Sequence, residues 1–210
     1  MIRVFGDSHA MKFGDHYPTA WIAGLTCYGF CGGDISLMVE NIFNKAGIDG
    51  LIPRREVGWS AFKNFLEQTE EEDIILFVLG EPDCRIQFYY HHMRDGVPLQ
   101  DLIDTTIKRY MDFLSTVDRR VAVLDVIPAN DQGNVYQFEF YADRQIRAEI
   151  TMMFNRTLKS ACEENGVTFV SLWNLLADEN GFLKPEMTAP DNAHAKPDPV
   201  LFAEVERQLC

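Results

Sequence analysis

The chain has 210 residues and a formal net charge of -13. That balance argues against an electrostatic grip on nucleic acid and against a polybasic contact with a membrane, because both need a cationic face. With 47% hydrophobic residues the chain can bury a sizeable core, and its length suits a single domain over residues 1–210.

Ile2–Phe5 reads as a first strand, and Arg3 and Gly6 interrupt it too early for a secretory leader. Ala20–Leu25 is the expected second strand. Asp34 is then a helix N-cap, Ile35, Met38, Val39, Ile42 and Ala46 share one face, and Gly47 closes the helix. A shorter helix is expected around Ser60–Gln68, followed by the acidic run Glu70 to Asp73, read as a solvated helix end or loop. Ile74–Leu79 and Val121–Ile127 are continuous apolar runs, as strands buried on both faces should be. Between them Leu99, Leu102, Ile103, Ile107, Tyr110, Met111 and Leu114 make a helical stripe. Ile146, Ile150, Met153, Phe154 and Leu158 make the next, closed by Asn165-Gly166. Val167–Ser171 is a fifth strand, and a last helix runs from Pro199 to Leu209. Strands alternating with helices predict a parallel sheet covered on both faces.

No apolar run is long enough to span a bilayer. The five cysteines are odd in number, which points to reduced thiols and a cytoplasmic setting. Cys27 and Cys31 are four apart with no second Cys/His pair beside them, so neither a zinc site nor another cofactor is expected.

In a parallel α/β sheet the functional groups gather at the carboxyl ends of the strands. Four places qualify: Gly6–His9, Cys27–Asp34, Gly80–Arg85 and the loop before the last helix. The first carries Asp7, Ser8 and His9, and the last carries Asp191 and His194 three apart. An aspartate that accepts from one imidazole nitrogen leaves the other free to take a proton from a serine, and Ser8 is the serine exposed past a strand end. Two other readings compete. A nucleophile elbow of the α/β-hydrolase kind needs several strands before its serine, and only one precedes Ser8. Asp7 and His9 as ligands of a metal-dependent phosphoesterase need further metal-binding stretches that the chain lacks; His91 and His92 are adjacent and expected at the surface.

FGDSHA near the start, Asp-x-x-His before a final helix, and the strand–helix order between them resemble the SGNH (GDSL-type) hydrolases over essentially the whole chain. The resemblance implies a flavodoxin-like three-layer α/β/α fold with a five-stranded parallel sheet. It implies hydrolysis or transfer of an ester-linked acyl group through an acyl-serine, without a metal, on a small-molecule or carbohydrate-linked ester. Carried over by position, Ser8 is the nucleophile, His194 the general base and then acid, and Asp191 the residue that orients it. The oxyanion would be held by the backbone N–H of Ser8 and that of Gly33, with Gly32 as fallback.

One block departs from the family pattern. Where Gly-x-Asn-Asp is usual, the chain has Gly80-Glu81-Pro82-Asp83, and a proline donates nothing. Arg85 is the candidate replacement donor; the alternative is that it pairs with Glu81 or Asp83 and orders the loop. The GE-x-DCR block also resembles a divergent branch associated with glycan modification, which suggests an O-acetyl carbohydrate. Loss of the Asn equally suits a non-catalytic binding or accessory domain. His9 is expected to close the loop after Ser8 or line the site, Asp7 to bond neighbouring amides, and Phe88 to Gly96 to wall the cleft.

Overall fold

The computed structural model describes residues 1–31, 55–134 and 137–210. The expected helix from Ile35 to Ala46, with Gly32, Gly33 and Asp34 before it, lies outside the described residues.

Five parallel strands form one sheet: β1 (Ile2–Gly6), β2 (Thr19–Trp21), β3 (Ile74–Val78), β4 (Arg120–Leu124) and β5 (Thr168–Val170), in the order β2-β1-β3-β4-β5. Among the described residues the α-helices are α1 (Cys27–Phe30), α2 (Arg55–Leu66), α3 (Phe88–Asp95), α4 (Leu99–Leu114), α5 (Arg144–Asn165), α6 (Trp173–Leu176) and α7 (Pro199–Leu209). Alternate side chains of the central strands leave by opposite faces. Phe5 and Phe77 join Phe30, Phe62 and Phe113 in an aromatic core on one side. Val4, Leu76 and Val78 pack with Leu201 and Val205 of α7 on the other. Both faces are therefore dry, which is why β3 reads as an unbroken apolar run. The architecture is the three-layer α/β fold with a five-stranded parallel sheet.

The strand ends differ from the expected bounds for local reasons. β2 stops at Trp21 because the chain turns: Leu25 N–H donates to Ile22 O and Gly24 is left-handed, at φ 69°. β4 stops at Leu124; Asp125 N–H still donates to Val170 O, and beyond it a side-chain amide takes the place of a strand partner. Asn155 of α5 accepts from Val126 N–H and donates to Val126 O, both at 2.8 Å. The acidic run also divides. Glu70 to Glu72 are exposed, whereas Asp73 is buried against Arg3 and the N-terminal ammonium, 2.5 and 3.0 Å away. His91, expected at the surface, is buried in α3 and bonded to Asp95 at 2.7 Å. Phe88 and Tyr90 are buried too, so these two aromatics serve packing.

Strand order reverses between β1 and β3, and at that switch point a doubly wound sheet opens a crevice. Gly6 lies there between two strands. A Cβ on it would meet Val78 O at 2.0 Å, so only glycine lets the chain leave the sheet so close to its neighbour. Gly80, two residues past β3, lies at φ +116° against Phe154 and Val126 and turns the chain into the next loop.

Candidate active site

Ser8 begins a 3-10 turn, Ser8–Phe13, directly after β1. Asp7 caps that turn: its Oδ1 accepts from His9 N–H at 2.8 Å, and its own N–H donates to Val78 O. This is the loop-holding role expected of Asp7. As the first residue of the turn, Ser8 has a backbone N–H with no acceptor inside it.

Asp191 and His194 lie in the turn before α7. Asp191 Oδ1 accepts from the N–H groups of Ala193 and His194, at 2.9 and 3.0 Å, and Asn192 takes the left-handed conformation at φ 57°. Asp191 Oδ2 lies 2.6 Å from His194 Nδ1. A carboxylate only accepts, so Nδ1 carries the proton and Nε2 is left bare. Nε2 lies 3.0 Å from Ser8 Oγ and accepts its hydrogen. Burial alone would raise the Asp191 carboxyl. The amide donors and the imidazole hold it down to about 2, so it is ionised at neutral pH. Residues 186 positions apart thus meet in one hydrogen-bonded chain. Gly33 lies outside the described residues.

The third strand end supplies the frame. After Gly80 the chain enters a widened helical turn, Asp83–Gln87, that runs on into α3. Asp83 is buried there and accepts from Cys27 N–H at 2.6 Å and Tyr28 N–H at 3.1 Å, tying the start of α1 to the end of β3. Burial pushes its carboxyl up to about 7. Such a group holds a proton in the folded chain that the unfolded chain has lost, so its contribution to stability is full below about pH 4 and is lost as pH rises through 7. Asp83→Asn cannot titrate. The melting temperature of the wild type relative to Asp83→Asn is expected to fall between pH 5 and pH 8. A constant difference in a pH series of thermal melts would refute it.

Arg85 meets Glu81, with Nε 3.1 Å from Oε1, and one of its terminal nitrogens donates to Gln132 Oε1. This is the loop-ordering pairing that the sequence offered as the alternative to an oxyanion donor. His9 is buried, 3.1 Å from Glu81, and its ring touches that of His194.

Asn130 escaped the sequence reading. It is buried beyond the end of β4, and its Nδ2 donates to Ala193 O at 2.7 Å, bolting down the turn that carries Asp191 and His194. Arg147 of α5 donates to Asn130 O at 3.1 Å and holds it in turn. The available signal was topological: the end of β4 lies on the same functional edge as the other strand ends. Among the described residues no group of three or more His, Cys, Asp or Glu side chains is arranged to hold a metal, and no helix is long and apolar enough to cross a membrane.

No protein-family model matches the sequence, and no curated protein matches it. Solved structures do match. A GDSL-like lipase from Bacteroides thetaiotaomicron superposes with a TM-score of 0.54 at 15% identity, over 99% of this chain and 84% of that one. The psychrotrophic esterase EstA from Pseudoalteromonas, in a structure inhibited by monoethylphosphonate, gives 0.50 at 14% identity, over 99% and 95%. At these identities the likeness speaks for the fold. With the strand order and layers described above, it identifies this chain's architecture as the fold of the SGNH (GDSL-type) hydrolases.

Proposed function

We propose that the chain is a metal-independent serine hydrolase of the SGNH kind, which cleaves or transfers an ester-linked acyl group. The supporting observation is the chain of contacts from Ser8 Oγ through His194 to Asp191, at 3.0 and 2.6 Å. Ser8 Oγ attacks the acyl carbon while His194 Nε2 takes its proton. Asp191 stabilises the imidazolium, and the oxyanion turns to the Ser8 N–H. The intermediate collapses to an acyl-serine as His194 returns the proton to the leaving alkoxide. Water, or an acceptor hydroxyl, then releases the acyl group by the same steps in reverse.

The oxyanion site is the reason for a second reading. Pro82 stands at the position of the usual Asn donor, and Arg85 is engaged by Glu81 and Gln132. Loss of one donor costs a factor of ~10²–10³ in rate, so a slow enzyme and a binding domain both suit this site. The intact contacts among Ser8, His194 and Asp191, which a binding domain does not need, favour the enzyme. An O-acetyl carbohydrate is the substrate class that the GE-x-DCR block suggests.

The test is hydrolysis of p-nitrophenyl acetate, then of acetylated sugars, in excess EDTA. Turnover that persists with EDTA and disappears in Ser8→Ala supports the serine mechanism. Activity lost to EDTA would favour a metal-dependent phosphoesterase acting through Asp7 and His9. No turnover on any ester would favour the binding domain.

A further inference from the structure

Three carboxyl groups lie buried beside the nucleophile: Asp7, Glu81 and Asp83. Burial pushes Asp7 well up, with Glu81 beside it adding to the effect, and takes Asp83 to about 7. Glu81 goes the other way. Burial would raise it, but the Arg85 guanidinium and then His9 hold it down to about 2. Glu81 is thus the buried anion of the three, and the proposed reaction does not use it.

The geometry connects it to that reaction. Glu81 Oε2 lies 3.1 Å from His9 Nε2. The His9 ring lies with its centroid 4.5 Å from that of His194, the two planes 43° apart. Facing the carboxylate, His9 Nε2 carries the proton, although at 3.1 Å the approach to Glu81 Oε2 is a charge contact outside hydrogen-bond geometry, and Nδ1 is buried without a hydrogen-bond partner among the described residues. His194 therefore has carboxylates on two sides: Asp191 bonded directly to Nδ1, and Glu81 one imidazole further away.

We propose that Glu81, acting through His9, is a positioning residue for His194: it fixes the His9 ring against the catalytic imidazole, and its negative charge stabilises the imidazolium formed when Ser8 gives up its proton. This rests on the reading of Ser8, His194 and Asp191 as the catalytic groups. Burial lowers His9 to about 4, against the pull of Glu81, so its ring is neutral where the enzyme would work. A neutral ring suits the place, because a second cation in contact with His194 would oppose proton transfer to it. Arg85 then acts as the countercharge that keeps Glu81 ionised. Lys12 of the 3-10 turn acts electrostatically on His9, and Tyr141 before α5 and Arg147 within it act electrostatically on Glu81. None of the three is altered in the variants below.

The test is the pH dependence of kcat/KM on p-nitrophenyl acetate for wild type, Glu81→Gln and Arg85→Met. Each protein is also melted thermally and labelled with a fluorophosphonate, which reacts with an activated serine. With the anion gone, Glu81→Gln is expected to move the acidic limb of the profile to lower pH by about one unit. It should also lower kcat about tenfold with KM little changed. Removing the countercharge in Arg85→Met lets burial neutralise Glu81, so it is expected to move the limb in the same direction, to lower pH. Should Glu81→Gln fail to fold, Arg85→Met decides alone, since its side chain is not fully buried. Labelled, folded proteins with an unmoved acidic limb overturn this inference and leave the serine mechanism standing. So does a loss of ~10²-fold in Arg85→Met with the limb unmoved, which would return Arg85 to the oxyanion site. A wild type that takes no label overturns the serine mechanism and this inference together.

Discussion

Ser8→Ala is expected to lower ester hydrolysis by about 10⁴-fold or more and to leave the melting temperature within about 2 °C of wild type. The two halves come from one local fact. Among the described residues the hydroxyl makes one hydrogen bond, to His194 Nε2 at 3.0 Å. The turn that presents it is held by other groups, namely the Asp7 cap on His9 N–H and the Asp7 N–H bond to Val78 O. Alanine removes the proposed nucleophile and disturbs none of these. The loss is so large because the three residues act as a unit: without the hydroxyl, the bare Nε2 has no proton to take. Steady-state rates and thermal melts on the same preparations check both halves. Undiminished hydrolysis in the mutant would remove Ser8 from the chemistry. A fall in activity that tracks a fall in melting temperature would leave it a structural residue.

Gly6→Ala is expected to be the most damaging small substitution in the strand core. The added Cβ would lie 2.0 Å from Val78 O and 2.9 Å from Val78 Cβ. The first obstacle is backbone of a neighbouring, fully buried strand, which cannot swing aside as a long side chain can. Relief requires β1 and β3 to separate where they pair Gly6 with Val78. Overpacking of this kind costs about 3 kcal/mol or more, which in a chain of this length lowers the melting temperature by roughly 6–12 °C. The same separation would displace Ser8, two residues on, from His194. Activity measured well below the melting temperature is therefore expected to fall as well. A variant with wild-type melting would show that the sheet yields at this rung.

Both predictions bear on parts of the chain that differed in how plainly they could be read. Strand β3 was legible because burial on both faces leaves it no polar residue to carry. Ile74 to Val78 is apolar at every position, and each is buried in the fold. The helices α4 and α7 begin and end where their stripes and flanking prolines put them, since amphipathic spacing and capping act within a few residues. Ser8, Asp191 and His194 were legible as chemistry. Asp191 and His194 are three apart, and one turn suffices to join them.

What could not be read were the contacts made by side chains distant in sequence. Val121–Ile127 looks like one strand. It ends at Leu124, and Val126 is bonded by Asn155, a helix residue 29 positions on, in place of a strand. The acidic run looks uniformly solvated, yet Asp73 is drawn inside by Arg3 and the chain terminus. Nothing local marks Asn130 as the group that steadies the His194 turn, or Asp83 as the cap on Cys27 and Tyr28. Arg85 offered two roles, oxyanion donor or loop-ordering partner, and the distance to Glu81 favours the pairing.

The sequence by itself determined the alternation of strand and helix, the dry sheet and the types of residue available for acyl chemistry, because periodicity, apolar content and turn residues act over short stretches. Only the tertiary structure decided which ionisable groups meet. It set Glu81 against His9, His9 against His194, and His194 against Ser8. Coulombic and hydrogen-bonding partners are chosen by distance in space, and strands adjacent in this sheet are separated in the chain by whole helices.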